Sequence, residues 1–358
     1  MKIPFMAHRD LFGLDIGSGA IKLVQLKKVG KGHRLVKFGV KLLDPELIVD
    51  GSIVDSGRVV SALKDLIAEQ GVKEKNVAFS VSGHSVIVKK ITLPAMTEDD
   101  LAETIKWEAE QYIPFDINDV NIDFQILGPG TPDTPGGADK MEVLLVAVKK
   151  DKITEYTNIV VEAGLQPAVV DVDVFSLENM YAVNYDVTPD EVVALVNIGA
   201  SGTNMNILYG GAFSFTRDIA IGGDKCNEAI QRDFHLQYDE AERALRLETV
   251  EGVNPEAVRG MINHFNAEIA TEVVRSLDYY KTTSNHDQIG RILISGGACK
   301  LPGLVEQMGE KTGVPVERAN PFNKIEVPRK GFDLSALREM APLAAVGVGL
   351  AVRQIGDR

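Results

Sequence analysis

One short motif occurs twice, about half the chain apart, and this duplication constrains the fold more than anything else in the 358 residues. Leu11-Phe-Gly-Leu-Asp-Ile-Gly-Ser-Gly-Ala-Ile-Lys-Leu-Val-Gln-Leu26 reads as an apolar strand, a Gly17-Ser18-Gly19 turn and a second strand. Val192-Val-Ala-Leu-Val-Asn-Ile-Gly-Ala-Ser-Gly-Thr-Asn-Met-Asn-Ile-Leu208 repeats the plan, and Asn197 stands where Asp15 stood, 197 − 15 = 182 residues earlier. A repeat on this scale predicts two related lobes, each opening with the same hairpin. Glycine lets backbone approach a ligand closely, so each turn can aim N–H groups at an oxyanion. One such turn is an ordinary hairpin. Two facing each other can grip the phosphates of one nucleotide.

Other phosphate motifs do not fit. No Gly-x-x-x-x-Gly-Lys-[Ser/Thr] is present, and Gly17-Ser18-Gly19 lacks the third glycine and following helix of a dinucleotide fingerprint. A third element follows the second hairpin: Arg291-Ile-Leu-Ile-Ser-Gly-Gly-Ala-Cys-Lys-Leu-Pro-Gly-Leu-Val-Glu-Gln-Met308. Its strand ends in Gly296, Gly297 and Ala298, which leave a flat slot for a ring. Pro302 is expected in the first turn of a helix over 303–312.

Composition excludes several classes. With 51 acidic against 38 basic residues the formal charge is −13, which disfavours nucleic acid and direct adhesion to anionic lipid. Cys226 and Cys299 form neither a CxxC pair nor a disulfide framework, as expected of a reducing cytoplasm. The six histidines contain no His-Glu-x-x-His, so a zinc hydrolase has no support. The N-terminal ten residues lose apolar character too early for a signal peptide. The apolar run over 341–352 falls short of the roughly 18 residues of a membrane span. The Pro- and Gly-rich loop over 128–140 is expected to be mobile.

The two hairpins and the glycine slot resemble the first phosphate, second phosphate and adenosine motifs of the actin-like ATPases. Trp107-Glu-Ala-Glu-Gln-Tyr-Ile-Pro-Phe-Asp-Ile-Asn-Asp-Val-Asn-Ile-Asp-Phe124 is similar to a segment of the PilM family of type IV pilus assembly proteins, as are Ile219-Ala-Ile-Gly-Gly-Asp-Lys225, Glu272-Val-Val-Arg-Ser-Leu-Asp-Tyr-Tyr280 and Asn320-Pro-Phe322. The resemblance runs over nearly the whole chain. It implies an α/β, actin-like two-lobed ATPase fold of duplicated RNase H-like domains, with an inserted α+β subdomain of the type found in the division protein FtsA. The first lobe is expected over 1–191 plus 339–358, the insertion over about 86–168 and the second lobe over 192–338. Local patterns agree: Thr97 and an acidic first turn open one helix, 151–163 forms another that stops at Gly164, and strand-like runs cover 86–93, 120–127 and 141–148. Asn254 caps a long helix with Ile262, Phe265, Ile269, Val273, Leu277 and Tyr280 on one face.

The resemblance also assigns roles. Asp15 would hold Mg²⁺ through water, since magnesium keeps several waters and borrows the substrate's phosphates. Gly17, Ser18 and Gly19 would surround the phosphates of ATP from one lobe, and Gly199, Ser201, Gly202, Thr203 and Gly223 from the other. Gly296, Gly297 and Ala298 would line the adenosine. Glu272 and Arg275 either contact the nucleoside or form an i, i+3 surface pair. Lys22 either offsets phosphate charge or faces solvent. Asn197, where many active members carry aspartate, keeps the shape without the charge, so ATP binding with slow hydrolysis is expected and no catalytic residue is assigned.

Three functions compete. The leading one is a cytoplasmic scaffold, peripheral to the inner membrane, that binds the cytoplasmic tail of PilN and links the pilus platform to its motor. It inserts no segment into the membrane and binds no nucleic acid, and the sequence leaves open whether it forms a homo-oligomer. The second is an FtsA-like filament, against which stands the absence of an amphipathic anchor after the apolar run. The third is a small-molecule kinase, for which Asp171 and Asp173 are the candidate bases.

Overall fold

Two five-stranded sheets carry the duplication. The computed structural model describes residues 11–49, 51–129, 139–284, 286 and 288–357, so most of the loop expected to be mobile lies outside the described residues. The first hairpin is β1 (Phe12–Ile16) and β2 (Ala20–Val29), extended by β3 (Gly32–Leu42). A small pair, β4 (Ile48–Val49) and β5 (Ser52–Ile53), leads to α1 (Ser56–Gln70), which Asp55 caps and Gly71 closes at φ 58°. Next come β6 (Asn76–Val81), β7 (Val86–Pro94), α2 (Glu98–Ala109), β8 (Val120–Pro129) and β9 (Lys140–Lys149). The chain returns through α3 (Lys150–Glu162), β10 (Gln166–Val172) and α4 (Asp173–Asn184).

The second half opens with β11 (Val192–Ile198), β12 (Thr203–Tyr209) and β13 (Ala212–Ile219). It continues through α5 (Asp224–Phe234), α6 (Tyr238–Leu245), α7 (Pro255–Thr283), β14 (Arg291–Ser295), α8 (Leu304–Thr312) and β15 (Val316–Arg318), and ends with α9 (Leu334–Met340) and α10 (Ala345–Ala351).

The sheets have the orders β3-β2-β1-β6-β10 and β13-β12-β11-β14-β15. In each, three strands run antiparallel as a meander, and two more join parallel on the far side of the first. The topology is the same twice. β1 and β11 are the central strands of their sheets, and their near-continuous burial is what a strand covered on both faces requires.

Helix α7 shows how local code and packing agree. Asn254 accepts from the Glu256 N–H and Pro255 occupies the first helical position. Its expected apolar face, Ile262, Phe265, Ile269, Val273, Leu277 and Tyr280, is buried in the core of the second sheet. By contrast Pro302 precedes the helix it was expected to start. Gly303, at φ 78°, caps α8, so the proline lies one residue outside. The helix expected over 151–163 is α3, and its Tyr156, Ile159 and Val160 pack in the same core as β1 and α1. The sheet β7-β9-β8 and α2 have a core of their own around Leu101, Ile105, Val143 and Leu145.

The apolar run near the end of the chain is an internal element. With α9 included, Leu334–Ala351 is long and apolar enough to cross a membrane by length and composition, yet 61% of that window is buried inside the fold. α9, a 3₁₀ turn at Ala341–Ala344 and α10 break it into short pieces. α10 lies against β1 and α4, and the approach is close enough to demand glycine. A Cβ on Gly13 would come within 2.2 Å of the Gly347 carbonyl oxygen, and one on Gly349 within 1.7 Å of the Ser176 carbonyl oxygen. Gly349→Ala is therefore expected to cost about 2 kcal/mol or more in urea unfolding, because backbone must move. Gly260→Ala, on the open face of α7 where an added Cβ meets nothing within 4 Å, is expected to stabilise by about 0.5–1 kcal/mol.

Candidate functional site

The two glycine turns meet. The Ser18 and Ser201 hydroxyls, 183 residues apart, hydrogen-bond each other at 2.9 Å. A Cβ on Gly19 would lie 2.9 Å from the Ala200 Cβ. Within the first turn the Gly17 N–H donates to the Ala20 carbonyl at 3.1 Å, and within the second the Gly199 N–H donates to the Gly202 carbonyl at 2.8 Å. Hairpin register fixes what stands behind each turn. Asp15 pairs across the strands with Lys22, and Asn197 with Asn204.

Lys22 points into the site. Its Nζ lies 3.2 Å from Asp15 Oδ2, and both side chains are largely buried, at 16% and 13% exposure. An added Cβ on Gly17 would sit 2.9 Å from that Nζ, so the ammonium lies directly under the turn. Burial pushes the Asp15 carboxyl above its usual range, Lys22 pulls it back, and Asp173 adds to the rise. Asp173, first residue of α4, is held by a 2.5 Å hydrogen bond from Ser80 at the end of β6. Sequence reasoning named Asp173 only as a candidate base of the kinase alternative. It lines the groove beside the cleft.

On the other side, Ser295 Oγ donates to Asn197 Oδ1 at 3.0 Å. Thr203 turns inward and donates to the Ile221 carbonyl at 2.7 Å. Gly223 donates to the Gly199 carbonyl and Asp224 to the Ala200 carbonyl, both at 2.9 Å, which ties the start of α5 to the second turn. Gly222 leaves no alternative, since a Cβ there would lie 2.1 Å from the Ala200 oxygen. Gly296, at φ 85°, would bring a Cβ to 2.3 Å from the Ile198 oxygen. Gly297 differs, with nothing within 4 Å of an added Cβ, so its face is open to a flat ring. Ala298 lies against Gly223, an added Cβ there being 3.1 Å from the Ala298 Cβ.

Glu272 and Arg275 pair with each other, and Glu272 also lies 3.9 Å from Arg217 of β13. Neither is hydrogen-bonded or ion-paired to Gly296, Gly297 or Ala298. A second charged pair, Lys225 with Glu268 of α7, lies beside the start of α5. Sequence reading missed it, although Lys225 follows Gly223 by two residues and Glu268 precedes Glu272 by one helical turn. Asp171 is buried and lies 3.4 Å from Arg353, with which it forms an ion pair. Beside the cleft is a groove of about 160 Å³, lined by Ser82 and Gly83, by Val86, Ile87 and Lys89 of β7, and by Asp173, Arg217 and Asp218.

Among the described residues no cluster of three or more metal-ligating side chains occurs. The set does fit a magnesium nucleotide, which needs one carboxylate, paired turns and an open glycine face, and these are Asp15, the Ser18 and Ser201 turns and Gly297.

Duplicated sheets whose first hairpins face each other across a glycine-lined cleft define an actin-like ATPase fold. The structure of MreB5 of Spiroplasma citri bound to AMPPNP matches with a TM-score of 0.51 and 12% identity, over 97% of this chain and 95% of that one. The cell division protein FtsA of Streptococcus pneumoniae serotype 2 is 23% identical over 91% of this chain and 79% of its own length. The chain belongs to the type IV pilus assembly protein PilM family, whose model matches residues 13–355. A solved PilM–PilN type IV pilus biogenesis complex contains a chain that matches with a TM-score of 0.85 and 28% identity, over 97% of this chain and 98% of that one.

One charged group behind the second turn makes the site pH-sensitive. Burial, helped by Glu228 and Glu242, pushes the Asp224 carboxyl up to about 6. The folded protein thus holds a proton that the unfolded chain releases from about pH 3.8 upward. Stability falls as pH rises through that window. Asp224→Asn is expected to stabilise at pH 7.5 by about 1 kcal/mol, after allowance for solvent screening. The gain should vanish below about pH 4 in urea titrations.

Proposed function

We propose that this chain is an ATP-binding scaffold of the type IV pilus assembly platform, and that it binds the cytoplasmic tail of PilN. The observation that carries the reading is the near end-to-end likeness to a chain of the PilM–PilN complex, together with family membership over 13–355. On this reading the protein is cytoplasmic and is held at the inner membrane by its partner. Its most apolar segment stays inside the fold. The first lobe is taken as 1–191 plus 339–358 with its insertion, and the second as 192–338.

ATP, when bound, would supply negative phosphates that both turns and a divalent cation hold. Asp15 would orient a magnesium-bound water. Lys22 would offset charge beneath the Gly17, Ser18 and Gly19 turn, and Ser18 and Ser201 would turn from each other to the phosphates. Gly199, Gly202 and Thr203 shape the opposing turn, and Gly223, Gly296, Gly297 and Ala298 enclose the nucleoside. Two hydroxyls that now share one bond of 2.9 Å would each make their own, which requires the lobes to part by roughly one hydrogen-bond length. Nucleotide therefore sets the lobe separation. Asn197 neither attracts metal nor accepts a proton, and a positioned base contributes roughly 10²–10⁴-fold, so turnover is slow.

The tail is assigned to the groove between β6, β7 and β13, because it joins the insertion to both lobes. Lys89 and Arg217 flank it with Asp173 and Asp218, so a tail of mixed charge is accommodated and complementarity governs selectivity. A synthetic peptide of the partner's N-terminal tail should bind saturably in calorimetry, and Ile87→Asp should abolish the signal. A peptide that binds neither nucleotide-loaded nor empty protein refutes the scaffold reading.

For the nucleotide, Mg-ATP at roughly 100 times its Kd should stabilise the fold by about 2.7 kcal/mol. Asp15→Asn should remove the magnesium-dependent part, and Asn197→Asp should raise both metal dependence and hydrolysis. No change in either variant, with the fold intact, refutes the assignments.

A further inference from the structure

Two surfaces outside the cleft carry opposite charge around exposed apolar side chains. The first is the β2–β3 hairpin. Residues 20–42 hold seven cationic side chains and no aspartate or glutamate, in a chain whose formal charge is −13. Three of the seven are neutralised locally, Lys22 by Asp15, Lys41 by Glu69 and Arg34 by Glu326. Lys27, Lys28, Lys31 and Lys37 form no ion pair among the described residues. Between and beside them Val29, Val36 and Leu42 are exposed, Leu42 at 77%. Val36 is the extra residue of a β-bulge, since Lys37 pairs with Gln25 and Leu35 with Leu26.

The second surface is the outer face of α2. Trp107, the only tryptophan, is 77% exposed there. Leu101, Ile105 and Ala109 bury the opposite face in the insertion's own core, so no described residue covers the indole. Helical spacing puts Asp100, Glu103 and Glu110 beside it. Glu103 and Glu110 form no ion pair among the described residues. A wide, rigid aromatic ringed by uncommitted acids is the arrangement that centres protein interfaces and receives lysine or arginine.

We propose that α2 of one molecule docks on the β2–β3 hairpin of the next. The occupant is a second copy because both halves of the complementary pair are on this chain. They also lie at opposite ends of the first sheet. The insertion leaves from β6 and returns towards β10, which form one edge, whereas β3 is the other. Four strand spacings, about 19 Å, separate those edges. Different patches on opposite sides make a heterologous contact, which propagates into an open chain or closes as a ring. The contact is independent of the nucleotide and tail readings, since neither surface belongs to the cleft.

Sedimentation velocity on the full chain tests it. At about 50 mM salt the sedimentation coefficient should climb with protein concentration, and at about 500 mM it should return to that of the monomer. Trp107→Ala should weaken association about tenfold or more, as loss of a central aromatic does. The triple variant Lys27→Glu, Lys28→Glu, Lys31→Glu should sediment as monomer, and so should Glu103→Lys, Glu110→Lys. An equimolar mixture of the two reversed variants should associate again, because each acidic patch then finds a basic one. Unchanged thermal melts show that the variants fold. A wild-type chain that stays monomeric, a reversed variant that associates as well as wild type, or a mixture that does not recover would overturn the proposal. So would binding of the wild-type hairpin to phosphatidylglycerol vesicles with no self-association, which would assign that surface to lipid.

Discussion

The contact between two glycine turns, closed by one hydrogen bond between Ser18 and Ser201, is the constraint on which the rest depends. Backbone can approach backbone this closely only where side chains are absent. Gly19 meets Ala200, Gly222 meets the Ala200 carbonyl, and Gly296 meets the Ile198 carbonyl. Each turn is held by the strands behind it. The second turn has the further support of α5, whose first amides bond to the Gly199 and Ala200 carbonyls. The charged groups are secondary to this frame. Asp15 and Lys22 neutralise each other just below the point where an anion would sit, so charge is present without a large unpaired burial.

The duplication also explains an asymmetry. Both sheets have one topology, but the cross-strand pair behind the first turn is Asp15 and Lys22, whereas behind the second it is Asn197 and Asn204. One side of the cleft is ionic and the other amide. Asn197 is fixed by Ser295, and Asn204 donates to Asp218 at 2.6 Å. Behind its turn the second lobe therefore offers amides where the first offers an ion pair.

Much of this was legible in the sequence because it is local. The strand-turn-strand pattern at Asp15 and Asn197, the Asn254 cap and the helical stripe from Ile262 to Tyr280 each sit within one element. They obey the period of that element. What escaped was long-range. The inward direction of Lys22 follows from hairpin register, which puts it opposite Asp15. The Lys225 and Glu268 pair joins residues of two helices that only tertiary packing brings together. The hydrogen bond from Ser80 to Asp173 joins residues 93 apart in sequence. Pro302 misled for a different reason, since Gly303 took the cap position in a left-handed conformation that no other residue adopts as readily.

The close seat of α10 on β1 has a consequence for how the molecule is made. Those two elements lie at opposite ends of the described chain, yet Gly13 and Gly347 touch, so the core under the first hairpin is incomplete until the last helix arrives. Everything the second sheet needs, from β11 to β15, is contiguous in sequence. During synthesis the later half can thus fold as a unit while the earlier half waits, with its most apolar partner still to come. β1 is thus secured later than strands made after it.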